Sequence, residues 1–88
     1  MIKKVVEVKN AVGLHVRPAY LIVKEASKFK SKLRLRKDNI EVDGKSMMEL
    51  MMLEAGKGTK LVIIADGSDE EELLDSIEKL FLDKFGEE

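Results

Sequence analysis

The chain has no cysteine, no tryptophan, one proline and one histidine among its 88 residues. Without cysteine there is no disulfide, no thiolate metal site and no cysteine nucleophile, and the composition is compatible with a reducing cytoplasm. With one histidine and no cysteine, the ligands that usually complete a transition-metal site are missing. No metal or cofactor is expected. Charge of one sign is also lacking: charged residues make up 38% of the chain, yet the net charge is −1. No basic field is present to hold a nucleic-acid backbone, so direct nucleic-acid binding is not expected. The apolar run at residues 61–65 is far too short to span a bilayer. The opening Met-Ile-Lys-Lys-Val-Val-Glu is broken by charges, unlike a secretory signal. These features point to a cytoplasmic protein with no membrane insertion.

Length sets a further bound. Eighty-eight residues predict one domain over residues 1–88, with a limited core and little room for a deep substrate cleft. Such a chain suits a module that works with larger partners rather than a self-contained enzyme.

Hydrophobic periodicity predicts the elements. Residues 2–8 read as a strand, with Ile2, Val6 and Val8 on one parity. Residues 10–14 form a loop in which Gly13 permits a turn. Residues 16–29 read as an amphipathic helix, with Ala19, Ile22, Val23, Ala26 and Phe29 at helical spacing and Pro18 in the first turn, where a missing amide donor costs nothing. Leu33 and Leu35 alternate along residues 32–37. After Asp38-Asn39, which suits a hairpin turn, Ile40 and Val42 continue the alternation. Residues 46–53 read as a short helix opened by a Ser46/Glu49 capping box. A loop at residues 56–58 leads to a central strand at residues 61–65. A second capping box, Ser68/Glu71, opens a last helix lined by Leu74, Ile77, Leu80, Phe81 and Phe85. The order is β-α-β-β-α-β-α. It predicts a two-layer α/β (α+β) domain, with one sheet whose polar face meets water and helices covering the other face.

Chemistry-bearing residues are few. His15 follows a glycine loop, precedes a helix and stands two residues from Arg17. A helix start offers unpaired amide donors and the positive end of a dipole, which together make an anion site. Arg17 adds a planar cationic fork suited to phosphate oxygens. A neutral imidazole nitrogen beside such donors is a nucleophile toward phosphorus. The plainer reading is that a lone histidine near a helix start is a surface or capping residue. Ser46 likewise reads first as an N-cap and second as a phosphorylation site, since a phosphate there would face the helix's positive end. Met47, Met48, Met51 and Met52 occupy more of one short helix than a core face needs. Leu50 and Leu53 fill the core, and the exposed methionines make an adaptable docking surface. Tyr20 lies off the buried stripe of the first helix and either extends that patch or covers a sheet edge. Lys24 and Lys28 read as a solvated face.

The run Gly13-Leu14-His15-Val16-Arg17-Pro18-Ala19 resembles that of HPr, the histidine-containing phosphocarrier of the bacterial sugar phosphotransferase system. The resemblance extends over nearly the whole chain and includes Gly44-Lys45-Ser46-Met47-Met48 and Ala55-Gly56-Lys57-Gly58. It implies an open-faced β-sandwich, with an antiparallel four-stranded sheet of order 1-4-2-3 and three helices on one face. It implies that His15 accepts a phosphoryl group on Nδ1 from phosphorylated enzyme I, ultimately from phosphoenolpyruvate, and passes it to the IIA domain of a sugar permease. Arg17 is the implied phosphate-stabilising partner. Val16, Tyr20, Met47, Met48 and Met51 form the implied partner surface. Ser46 corresponds to the regulatory serine of the Gram-positive type, modified by an HPr kinase/phosphorylase, the modified form binding a catabolite-control transcription factor.

Three residues depart from the family pattern. Val16 stands where Ala or Thr is more usual, and Tyr20 where a small residue is expected. Glu49, often glycine, sets a negative charge one turn from Ser46 and so disfavours a phosphate there. A stoichiometric carrier rather than an enzyme is implied, working as a monomer. Two other readings remain: a regulatory or docking module acting through Ser46 and the methionine-rich helix without histidine phosphotransfer, and a carrier of a prosthetic group on Ser46.

Overall fold

The computed structural model describes residues 1–87. Strand β1 (Ile2–Glu7) leads through a loop to helix α1 (Val16–Ala26), then to the hairpin of β2 (Lys32–Lys37) and β3 (Ile40–Asp43). A short helix α2 (Met47–Met51), strand β4 (Lys60–Asp66) and helix α3 (Glu70–Leu82) follow, and a 3-10 turn (Lys84–Gly86) closes the described chain. The sheet order is β1-β4-β2-β3, antiparallel throughout.

The alternation seen in the sequence sorts the two faces. Val6, Val8, Leu33, Leu35, Val42, Leu61, Ile63 and Ala65 are buried beneath the helices, together with Ala19, Ile22 and Ala26 of α1 and Leu73, Leu74, Ile77 and Phe81 of α3. Each large side chain removed from water in this way is worth about 1.5–3 kcal/mol before chain entropy is set against it. The central strand β4 is apolar on both parities. Its Ile64 faces the open side yet is 6% exposed, because it pairs with Lys3 on β1 and Arg34 on β2, whose long stems flank it. The open face therefore has an apolar centre in a charged surround.

Several boundaries differ from the expectation, each for a local reason. Helix α1 stops at Ala26, and Phe29 N–H reaches back only three residues, to the Ala26 oxygen at 3.1 Å, in a tightened last turn. Phe29 still packs against the core. Helix α2 is shorter than expected, with Ser46 outside it as N-cap. Its capping box is half formed: the Ser46 hydroxyl accepts from the Glu49 N–H at 3.2 Å, but the Glu49 carboxylate turns to the Asp43 N–H at 2.9 Å. The Ser68/Glu71 box does not form. Asp69 is the N-cap of α3, and Glu70 accepts from the Gly67 N–H at 3.1 Å. The Asp69 carboxylate accepts from the Ser31 hydroxyl and amide N–H and makes no capping bond to α3. Ile40 keeps the parity of Val42 but sits at the hairpin end and is exposed. Phe85 lies beyond α3, past a reversal in which Lys84 and Phe85 take φ 54° and 55°. It returns to the core, its ring meeting Phe81 edge-on at 4.9 Å.

Candidate functional site

His15 is the N-cap of α1, with extended backbone (φ −96°, ψ −164°) and no capping bond from its side chain. Its carbonyl accepts the first helical bond, from Ala19 N–H at 3.0 Å. Pro18 has no N–H, and no hydrogen bond among the described residues reaches the N–H groups of Val16 and Arg17. The imidazole therefore stands beside open backbone donors at the positive end of an eleven-residue helix.

The loop that places His15 is held by the segment before β4. Val8 N–H donates to the Thr59 oxygen at 2.8 Å, Gly58 N–H donates to the Val8 oxygen at 2.7 Å, and Leu14 N–H donates to the Ala55 oxygen at 2.8 Å. Gly13, at φ +82°, passes so close that a Cβ there would stand 2.5 Å from the Ala55 oxygen. Glycine is required on both counts. The two glycine-bearing runs noted in the sequence thus meet in space: residues 55–58 are the abutment against which the histidine loop is set.

The imidazole is not free. Nε2 lies 3.0 and 3.1 Å from the two carboxylate oxygens of Glu87. Arg17 Nη1 donates to the Phe85 carbonyl at 2.6 Å and reaches the same carboxylate at 3.3 Å. Asn10, fully buried, donates through Nδ2 to the Gly13 carbonyl at 2.7 Å and to Glu87 at 3.0 Å. Facing two acceptors, that amide has its orientation settled. The His15 hydrogen bond chiefly, aided by Asn10 and Arg17 and opposed by desolvation, holds the Glu87 carboxyl below the ordinary glutamate range. The carboxylate is thus ionised at neutral pH, and Nε2 must carry the hydrogen between them. No hydrogen bond among the described residues reaches Nδ1.

Of the residues singled out in the sequence, His15 and Arg17 share one neighbour, the Glu87 carboxylate. Asn10 and Glu87 join them unannounced. Asn10 carried a weak signal, since a loop asparagine commonly bonds to backbone nearby. Glu87 carried none, because its position depends on the left-handed reversal at residues 84–86.

The other singled-out residues lie on the neighbouring helices. Val16 and Tyr20 on α1 are exposed. On α2, Met48 (78%) and Met51 are exposed, as is Met52 at its C-cap, while Met47 is half-buried against the core and Leu50 is fully buried. Ser46 is half-buried, with Asp43 and Glu49 close by; Lys45 is directed away, to the Phe29 carbonyl at 3.0 Å. Among the described residues no cluster of side chains is suited to a metal ion, and no helix is long and apolar enough to cross a membrane.

Fold and site together define an open-faced α/β sandwich that presents one histidine at a helix start. Residues 2–83 match the family described as the PTS HPr component phosphorylation site. The phosphocarrier protein HPr of Treponema pallidum is 48% identical over 88 residues, covering 100% of both chains. The crystal structure of HPr-C-His from Thermoanaerobacter tengcongensis superposes with a TM-score of 0.96 at 44% identity, covering 100% of this chain and 99% of that one. Crh of Bacillus subtilis, described as a catabolite-repression protein forming a swapped-domain dimer, gives a TM-score of 0.77 at 40% identity, covering 96% of this chain and 97% of that one. The chain belongs to the HPr phosphocarrier family of the phosphotransferase system.

Proposed function

We propose that the chain is one phosphocarrier domain in which His15 takes a phosphoryl group on Nδ1 from phosphorylated enzyme I and gives it to the IIA domain of a sugar permease. The observation that carries this reading is the state of the His15 ring at the start of α1, with Nε2 engaged and Nδ1 open. In the first transfer the Nδ1 lone pair forms the bond to phosphorus, and the bond to the donor atom breaks with its electron pair. In the second transfer the acceptor's nucleophile replaces Nδ1. Arg17 and the open N–H groups of Val16 and Arg17 stabilise the phosphoryl oxygens. The domain supplies no further chemistry and is a stoichiometric carrier. Val16, Tyr20, Met47, Met48 and Met51 form the partner surface, with adaptable thioether side chains that suit several partners met in turn. Such an exchange suits a cytoplasmic monomer.

Ser46 is the regulatory position in this reading, modified by an HPr kinase/phosphorylase. Its phosphorylated form engages a catabolite-control transcription factor and reacts more slowly with enzyme I. A charge placed beside the apolar methionines disfavours docking.

The deciding experiment is incubation with enzyme I and phosphoenolpyruvate. The expected product is an acid-labile, alkali-stable phosphate that is absent from His15→Ala. Equal labelling of His15→Ala removes His15 from the reaction. A wild-type chain that takes no label, yet is modified on Ser46, is a regulatory module instead.

A further inference from the structure

We propose that Glu87 is a positioning residue for phosphoryl acceptance: its carboxylate holds the Nε2 hydrogen of His15 and so keeps the nucleophilic lone pair on Nδ1. This rests on the reading of His15 as the acceptor.

The placement of Glu87 is built into the fold. Three consecutive residues, Lys84, Phe85 and Gly86, take φ of 54°, 55° and 72°. A left-handed conformation costs a non-glycine residue on the order of 1–2 kcal/mol. Burial of Phe85 against Phe81 and the bond from Arg17 to the Phe85 carbonyl offset that cost. The reversal delivers the next residue onto the imidazole. There the carboxylate is gripped from three sides, by His15, Asn10 and Arg17. Asn10 in turn is tied to Gly13 in the histidine loop. The tail and the loop are thereby registered against each other through one buried amide.

The chemical consequence follows from the donor inventory. An ionised carboxylate only accepts, so the ring nitrogen facing it carries hydrogen. A neutral imidazole has one N–H, which leaves the lone pair on the other nitrogen. Without Glu87 the ring divides itself between two tautomers, one of which has no nucleophile at Nδ1. As Nδ1 donates its pair to phosphorus, the ring becomes cationic while the Nε2 hydrogen stays in place. The bond from phosphorus to the donor protein's atom breaks, and its pair leaves with the donor. The growing ring charge faces the Glu87 carboxylate, which stabilises it. The two nitrogens point out of the ring in diverging directions, so the carboxylate supports the ring without meeting the phosphoryl group head on.

The test has two readouts. Nitrogen-15 NMR of the His15 ring, at a pH where it is neutral, reports the tautomer; stopped-flow phosphorylation by phosphorylated enzyme I reports the rate. Wild type is expected to be mainly the Nε2–H tautomer. Glu87→Gln, whose amide can accept from or donate to Nε2, is expected to weaken that preference toward that of a free imidazole and to accept phosphate about tenfold more slowly, chiefly because no negative charge then faces the growing ring charge, the effect of one charge-assisted hydrogen bond in a half-exposed site. Glu87→Asp is expected to recover part of both, and thermal unfolding should be little changed in either variant. Glu87→Gln with the wild-type tautomer overturns the proposal, as does a tautomer shift with an unchanged rate. The carrier reading fails separately, by absence of label on wild-type His15. Wild-type and Glu87→Gln proteins labelled at equal rates remove only the role of Glu87.

Discussion

Ser31 and Asp69 bind each other in both directions: the Ser31 hydroxyl donates to the Asp69 carboxylate and accepts from the Asp69 N–H at 3.1 Å. The same carboxylate accepts from the N–H groups of Lys30 and Ser31 at 2.9 Å. The turn after α1 is thus fastened to the start of α3. Gly67 belongs to this junction, since a Cβ there would meet the Ser31 hydroxyl at 2.5 Å.

A pH dependence follows from that clasp. The Ser31 hydroxyl first, then the Lys30 and Ser31 amides, lower the Asp69 carboxyl from 3.8 to about 2. A depressed folded-state value stabilises the fold above the unfolded value, and that contribution is lost as pH falls through the folded one. Asp69→Asn is therefore expected to melt below wild type at neutral pH. The gap should close as pH falls from 3.8 toward about 2. Circular-dichroism melts across that range check it, and a gap independent of pH would exclude Asp69 as its source.

Gly13→Ala should damage both fold and site. The residue sits at φ +82°, and its Cβ would stand 2.5 Å from the Ala55 oxygen and 2.8 Å from Gly56 Cα. The left-handed conformation alone costs about 1–2 kcal/mol for alanine, and displacing backbone adds to it. A loss of about 2–4 kcal/mol in urea unfolding is expected. The fraction that remains folded should accept phosphate more slowly, because the loop carrying His15 has to shift. A variant with wild-type stability would mean that the loop is not clamped by residues 55–58.

Arg17 separates charge from geometry. Arg17→Ala is expected to slow transfer from enzyme I about 10- to 100-fold, less than the loss of a buried oxyanion donor, because the guanidinium is half exposed. Its stability should fall by only about 1 kcal/mol, the worth of the bond to the Phe85 carbonyl. Arg17→Lys keeps the charge and loses the fork, so it should recover only part of the rate. Full recovery with lysine would reduce Arg17 to a point charge.

Strand alternation, the start of α1 at Val16 and the capping role of Ser46 are legible because each depends on neighbours within one or two turns of chain. The Ser68/Glu71 pattern misleads because a short-range signal competes with a partner 38 residues away: Ser31 holds Asp69, which stands at the N-cap of α3 in place of Ser68. Phe85 belongs to the core that its spacing predicts, but not to the helix. Its apolar spacing continues that of α3, and nothing in a Lys-Phe-Gly run announces two left-handed residues before the glycine. Glu87 escaped for the same reason, since an acidic residue at a charged chain end has no periodicity to betray it. The resemblance to a family supplied the sheet order, which local patterns do not carry.

Ser46 offers a test of local charge. Asp43 and Glu49 lie close to it, and Lys45 is held away by the Phe29 carbonyl at 3.0 Å. A phosphate on Ser46 would stand near the Asp43 and Glu49 carboxylates, while the neighbouring Lys45 is engaged at the Phe29 carbonyl. Glu49→Gln is expected to raise the rate of Ser46 phosphorylation by a cognate kinase about 2- to 5-fold, in keeping with an exposed charge pair of about 0.5–1 kcal/mol. The product should be acid-stable and absent from Ser46→Ala. Identical rates in Glu49→Gln and wild type would show that Glu49 does not oppose the modification.

Met48 and Leu50 are two residues apart on α2 and should behave as opposites. Met48 is 78% exposed and Leu50 0%. Met48→Asp should leave unfolding within about 0.5 kcal/mol of wild type, as surface substitutions do. It should raise the apparent KM for enzyme I severalfold if the exposed methionines are the surface proposed to dock it, because a charge there resists being covered and dried. Leu50→Ala removes buried volume and should cost about 2–5 kcal/mol. At a temperature where that variant is still folded, its KM should stay near wild type, since Leu50 contributes nothing to the surface. If Met48→Asp transfers phosphate with an unchanged KM, the exposed methionines are not where enzyme I docks, and the partner surface must be sought around Val16 and Tyr20 alone.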